Sequence, residues 1–212
     1  MYSVLAGFMI AMGGYINLTL GGIPGALFFA IGLLTILHFK FNLFTGKAGA
    51  LALGTITWEE IISIWCGNFL GTAAGAVMTL GTPKGMDLAM AAAAIIEQKV
   101  SNHPVENLVL GIGCGVLMFI AVKGYQDSHN IAFVFVPVAT FILAGFNHCV
   151  ADMYYLCLGA MKITDFGVLI PTTVGNILGC NLINWCLLYE APPTIQSTPP
   201  ELRDSAGPRH HL

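Results

Sequence analysis

The chain has 212 residues, of which 56% are hydrophobic and only 9% charged, with eight Lys and Arg against eleven Asp and Glu and a mean hydropathy of +0.79. A soluble domain carries about 25% charged residues, so an ordinary soluble enzyme is excluded. A net charge of −3 leaves no basic footprint for nucleic acid, and the apolar content excludes a disordered chain. An all-α polytopic membrane protein remains, and its 25 glycines suit close helix packing in lipid.

A helix crossing about 30 Å of hydrocarbon needs roughly 20 residues. Met1–Leu5 lacks the basic n-region of a secretory signal, and the first apolar span is expected at Val4–Leu20, closed by Gly21-Gly22. Ile23–Leu53 is the second, Ile61–Leu80 the third, and the alanine-rich Ala89–Ile96 a surface helix or connector. Val105–Val122, Ile131–Met161 and Phe166–Tyr189 complete six. Straight helices over the second and fifth segments would reach about 46 Å each, too long for the hydrocarbon. Both carry polar residues near the middle: His38, Lys40 and Asn42 in one, Asn147, His148 and Asp152 in the other. A break inside the protein shelters such groups and shortens the span.

The loop charges do not orient the chain. Lys47, Lys123, Arg203 and Arg209 fall on one side, with Lys84, Lys99 and Lys162 on the other. Past Glu190 the composition turns to Pro, Thr and Ser. Residues 191–212 read as a flexible polar tail holding His210 and His211, which are expected to bind nothing. The six cysteines show no C-x-x-C spacing and read as small packing residues.

Two patterns recur. Phe41-Asn42-Leu43 is echoed by Phe146-Asn147-His148, and Gly67-Asn68-Phe69-Leu70-Gly71 by Gly175-Asn176-Ile177-Leu178-Gly179. The order and the similar offsets imply two three-helix halves, at about 4–81 and 105–189, joined by a connector at 82–104. An odd number of spans per half makes the halves inverted. Broken helices then face each other near the midplane, where transporters and channels hold their permeant species. Half-helix N-termini there suit an anion.

His148 is the one histidine deep in an apolar stretch, and imidazole can donate a proton or hydrogen bond to a permeant. A histidine satisfied within the bundle is the plainer alternative. Asn147 and Asp152 flank it, and Asp152, four residues on, is expected to be able to pair with it. His38 reads as an end or break residue. Asn176 and Thr173 are candidates for interhelical hydrogen bonds or for the pathway. Phe29, Leu33, Phe44 and Phe141 read as core residues unless they ring a pore, where they would exclude hydrated ions. Lys99 reads as a loop charge that could also attract anions.

On these residues the chain resembles the formate/nitrite transporter family over most of 4–189. Ala144-Gly-Phe-Asn-His-Cys-Val-Ala-Asp-Met153 resembles that family's segment around its pore histidine. Leu43-Phe44-Thr45 is similar to its broken second helix, and Ile170-Pro-Thr-Thr-Val-Gly-Asn-Ile-Leu-Gly179 to its sixth-helix asparagine motif. The resemblance implies an aquaporin-like six-helix protomer, a homopentamer with one pore per protomer, and termini on the cytoplasmic side of an inner (cytoplasmic) membrane. It makes His148 the central histidine, with Thr45 and Asn176 as polar neighbours. Phe29 with Phe141, and Leu33 with Leu43 and Phe44, become two constrictions, and Lys99 a vestibule lysine that draws in anions. Four departures stand out. Asn147 replaces the usual Glu, Asp152 the usual Asn, and Gly115 a common Asn. The family's amino-terminal cytoplasmic helix has no counterpart, so gating is expected to differ or the chain to be shortened.

The expected function is a channel or transporter for small monovalent anions, formate first, with nitrite and hydrosulfide as competitors, and with no cofactor. An aquaporin-like channel for neutral solutes is the alternative, although paired Asn-Pro-Ala motifs are missing. A thiol enzyme using Cys149 is a poorer reading, because adjacent helical residues point about 100° apart.

Overall fold

A computed structural model describes residues 1–160 and 162–190. The tail at 191–212, with Arg203, Arg209, His210 and His211, and also Met161, lie outside the described residues. Helix α1 (Tyr2–Leu20) leads into α2 (Gly22–His38), followed by the short α3 (Phe44–Ala48) and a single 3-10 turn. Then come α4 (Trp58–Leu80), α5 (Gly85–Ser101), α6 (Pro104–Ser128), α7 (Ala132–Leu143) and α8 (Cys149–Gly159). A 3-10 segment at Ile163–Val168 runs into α9 (Leu169–Glu190). Four of these are long and apolar enough to cross a membrane: α1, α4, α6, and α9 with its 3-10 lead.

Local signals set the ends. Thr57 and Glu60 exchange bonds across the first turn of α4. His103 and Glu106 do the same for α6, with Pro104 at the first helical position, where the missing N–H costs nothing.

The two long segments are broken, and in the same way. At the end of α2, Phe41 N–H reaches back to Ile36 O at 2.9 Å and Lys40 N–H to Leu37 O, with Lys40 at φ 55°. At the end of α7, Phe146 N–H bonds Phe141 O at 2.9 Å and Gly145 N–H bonds Ile142 O, with Gly145 at φ 74°. Each is a left-handed turn that satisfies the last carbonyls and stops the helix. The chain then runs through extended Leu43 and His148 before α3 and α8 begin. Both breaks lie where the polar residues of the sequence required them.

The halves repeat in their packing too. Helix α1 crosses α4 as α6 crosses α9, each pair closely apposed through glycine. A Cβ at Gly115 or Gly179 would strike the backbone carbonyl of Asn176 or Ile112. Gly7 and Gly71 stand in the same relation to Asn68 and Val4. This close approach explains why glycine, not asparagine, occupies position 115. The helical bundle is thus an aquaporin-like protomer of two inverted halves.

Helix α5 does more than link the halves. Leu88, Ala92 and Ile96 are buried, and Gly159 at the end of α8 lies against the backbone at Ala89, Ala92 and Ala93. That seat brings the last turn of α5, with Lys99, over α8. Outward faces carry exposed Ile62, Leu70, Val77, Val109, Ile170 and Val174.

Candidate functional site: a histidine joining two half-helices

Each half-helix begins on an asparagine from a neighbouring long helix. Asn68 Oδ1 accepts from Phe44 N–H at 2.8 Å, while its Nδ2 donates to Asn42 O and to Ser3 O. Asn176 Oδ1 accepts from Cys149 N–H at 2.9 Å, while its Nδ2 donates to Asn147 O and Gly111 O. The Phe44 and Cys149 N–H groups and the Asn42 and Asn147 carbonyls are orphaned where the helices break, and in lipid nothing else can satisfy them. Asn176 is therefore fully occupied with backbone, and it lines neither of the two cavities near the breaks. Thr173, its neighbour in the motif, accepts from Trp65 Nε1 at 3.2 Å. The asparagine of the first half, Asn68, was visible in the sequence only as part of the repeat.

The last residue of each break is Leu43 in one half and His148 in the other, each the cap that precedes its half-helix. His148 is 2% exposed, and its Nδ1 accepts from Ala151 N–H at 3.1 Å, capping α8. With Nδ1 accepting, the ring proton sits on Nε2, which donates to Thr45 Oγ1 at 2.9 Å. Thr45 stands in the first turn of α3, so this bond joins the two half-helices across the middle of the bundle. Phe141 stacks on the imidazole with centroids 5.5 Å apart, and Phe29 meets Phe141 edge-on at 6.0 Å.

Two cavities lie near the breaks, and His148 lines one of them. One of about 230 Å³ is lined by Phe29, Phe141, Asn147, His148, Lys99 and Asp152, among others. The other, of about 290 Å³, is walled by Leu33, Leu43, Lys40, Lys47 and His129. Phe44 is buried beside them but lines neither, and Thr45 also borders a separate cavity against Cys180 and Asn184. His38 ends α2 and is exposed, as expected of a break residue.

The structure corrects one expectation outright. Asp152 does not pair with His148; its Oδ1 takes the Lys99 ammonium. His148 lies outside α8, its ring turned back onto the helix N-terminus, so the same-face relation of residues four apart does not hold. Helix α5 supplies the cation instead. The second oxygen, Asp152 Oδ2, is buried without a hydrogen-bond partner among the described residues. Lys99 is accordingly no loop charge: its side chain is 14% exposed.

Asn147 donates to Asn107 Oδ1 at 2.9 Å, and Asn107 donates in turn to Lys99 O at 2.8 Å. Asn107 escaped the sequence reading, because one amide in the first turn of an apolar helix looks like an interfacial residue. Asn17 and Tyr155, bonded to each other at 3.2 Å, line the same cavity and were missed for the same reason.

Known proteins bear on this arrangement at several levels. The formate/nitrite transporter family model matches residues 1–189. The formate channel FocA of Escherichia coli K12 is 26% identical over 204 residues, spanning 75% of this chain and 70% of its own. The formate-nitrite transporter of Plasmodium knowlesi is 34% identical over 106 residues, 45% of this chain and 34% of its own. Among solved structures, a pentameric formate channel with formate bound superimposes with a TM-score of 0.73 at 23% identity, covering 90% of this chain and 96% of that one. An FNT family ion channel gives a TM-score of 0.77 at 20% identity, covering 90% and 88%. These two similarities establish the fold. With the family match running through every described span, the chain belongs to the formate/nitrite transporter family.

Proposed function

We propose that this protein conducts small monovalent anions, formate foremost and nitrite and hydrosulfide next, across the inner membrane as a homopentamer with one pathway per protomer. The single observation that carries the reading is His148, which offers its Nε2–H toward Thr45, lines a buried cavity and stands beside Phe141 and Phe29.

A bare anion between such rings faces a cost of several kcal/mol or more. Crossing as the neutral acid avoids most of it. The hydrogen bonds limit what His148 contributes. Its Nδ1 is engaged with Ala151 N–H, so the ring has one proton, on Nε2, and losing it would leave an imidazolate. In this state His148 serves as a hydrogen-bond donor, and the proton travels with the permeant from the water of the vestibule. Thr45, accepting from Nε2, keeps its own O–H available as a second donor. Phe29 with Phe141, and Leu33 with Leu43, act as the apolar constrictions, with Phe44 buttressing the second. Asn147 and Asp152 shape the cavity on the Lys99 side, and Asn176 positions the His148 segment rather than touching the permeant.

The test is formate uptake into proteoliposomes by wild-type protein and by His148→Phe. Uptake by the wild type should rise as pH falls, in step with the acid form of the permeant. The variant should lose most of the flux. Undiminished flux in His148→Phe retires the assigned role.

A further inference from the structure

We propose that the cavity beside His148 is a binding site for small neutral primary amides, of which formamide is the simplest, and that Tyr155 and Asp152 select them. This goes beyond anion conduction, because it gives the cavity of about 230 Å³ an uncharged class of ligand.

The wall carries no net charge. Among the described residues that line the cavity, Lys99 and Asp152 are the formally charged ones, and they hold each other in an ion pair. His148 is neutral, with Nδ1 accepting from Ala151 N–H.

Two polar groups on this wall are unspent. Asp152 Oδ2 is a buried acceptor that receives no hydrogen bond among the described residues. Tyr155 is 6% exposed, and its hydroxyl oxygen accepts from Asn17 Nδ2 at 3.2 Å. The O–H itself reaches no acceptor among the described residues. Both residues line the cavity from α8 and stand three apart, a spacing that sets side chains on one face of a helix. One brings an acceptor and the other a donor. A dry polar group without a partner is costly, and a ligand that supplies the partner recovers that cost.

The complement is a molecule with a donor and an acceptor on one carbon. A primary amide has both: its N–H donates to Asp152 Oδ2, and its carbonyl oxygen accepts from the Tyr155 O–H. A carboxylate of the same size has acceptors only. It would set an oxygen against Oδ2 and add negative charge to a wall whose one cation is already paired. A protonated carboxylic acid shares the amide's pattern, but the amide keeps it at neutral pH. Phe29, Phe141 and Leu110 give the C–H side of the amide an apolar seat. At about 30 Å³ per water, the cavity holds formamide with water around it.

The test titrates formamide into detergent-solubilised protein and follows the saturation-transfer signal of its carbon-bound proton. Empty micelles are subtracted, and signals are normalised to folded protein measured by circular dichroism. Formamide should bind the wild type. Tyr155→Phe keeps the ring and removes the O–H, and it should weaken binding roughly three- to tenfold, the worth of one hydrogen bond. In Asp152→Asn the Lys99 ammonium takes the amide oxygen and leaves an N–H donor where Oδ2 stood. Formamide binding relative to formate binding should then fall by roughly tenfold. A wild type with no formamide signal above empty micelles overturns the proposal. So does equal binding by wild type and Tyr155→Phe, or an unchanged formamide-to-formate ratio in Asp152→Asn.

Discussion

Lys99 and Asp152 neutralise each other across the contact between α5 and α8, 53 residues apart in sequence, beside the cavity that His148 lines. The pair is unequal. Asp152 is fully buried, whereas the Lys99 side chain keeps a small exposed fraction. Its two members should therefore respond differently to substitution.

Removing the lysine strands a carboxylate with no water, a situation that costs on the order of 3–5 kcal/mol. Removing the acid leaves a cation that can reach cavity water. Lys99→Gln is expected to lower the thermal unfolding temperature markedly and Asp152→Asn only slightly. Asp152→Asn should also lower the formate concentration for half-maximal uptake, because the Lys99 charge then acts on the permeant. Unfolding scans and uptake measured against formate concentration check both.

Asn68 and Asn176 each hold one N–H and one carbonyl at a helix break and a second carbonyl on an adjoining long helix. An unsatisfied buried group costs about 1–3 kcal/mol, so Asn176→Ala should destabilise by several kcal/mol in total. Asn176→Asp should be worse than Ala despite its shape, because it turns the donor of two bonds into an acceptor and buries a charge. Asn68→Ala and Asn68→Asp should follow the same order. Detergent unfolding monitored by circular dichroism ranks them.

His148→Asn separates the two tasks of the ring. Asparagine caps helices well and can accept from Ala151 N–H, but it cannot reach Thr45 as Nε2–H does. The variant should fold with a stability loss of less than about 1 kcal/mol and conduct formate less well. His148→Ala should lose the cap as well, at about 1 kcal/mol. Stability and uptake measured together on the three proteins distinguish capping from donation.

Gly115 and Gly179 meet backbone carbonyls with no room for a Cβ. Gly179→Ala is expected to force α6 and α9 apart, with a fall in yield of folded protein. Gly167→Ala, where a Cβ meets nothing within 4 Å, should behave as wild type in the same expression test. On the proposed assembly, native mass spectrometry of the wild type should show five copies of the 22.5 kDa chain.

Much of this molecule was legible in the sequence, and one physical cause explains how. Lipid offers no partner to a backbone N–H or carbonyl, so long apolar runs must be helix, and polar groups at mid-run must sit where a helix is broken and sheltered. Hydropathy and the placing of polar residues therefore set the spans and the two breaks around Asn42 and Asn147, and two recurring residue patterns set the inverted repeat. What only the tertiary structure decided are the pairings between helices. Lys99 rather than His148 became the partner of Asp152, because α5 folds back on α8. Thr45 came to face His148 across 103 residues, and Asn176 turned to the backbone of the break instead of the pathway. Side-chain direction at such sites depends on how helices cross, which the order of residues along one helix does not fix.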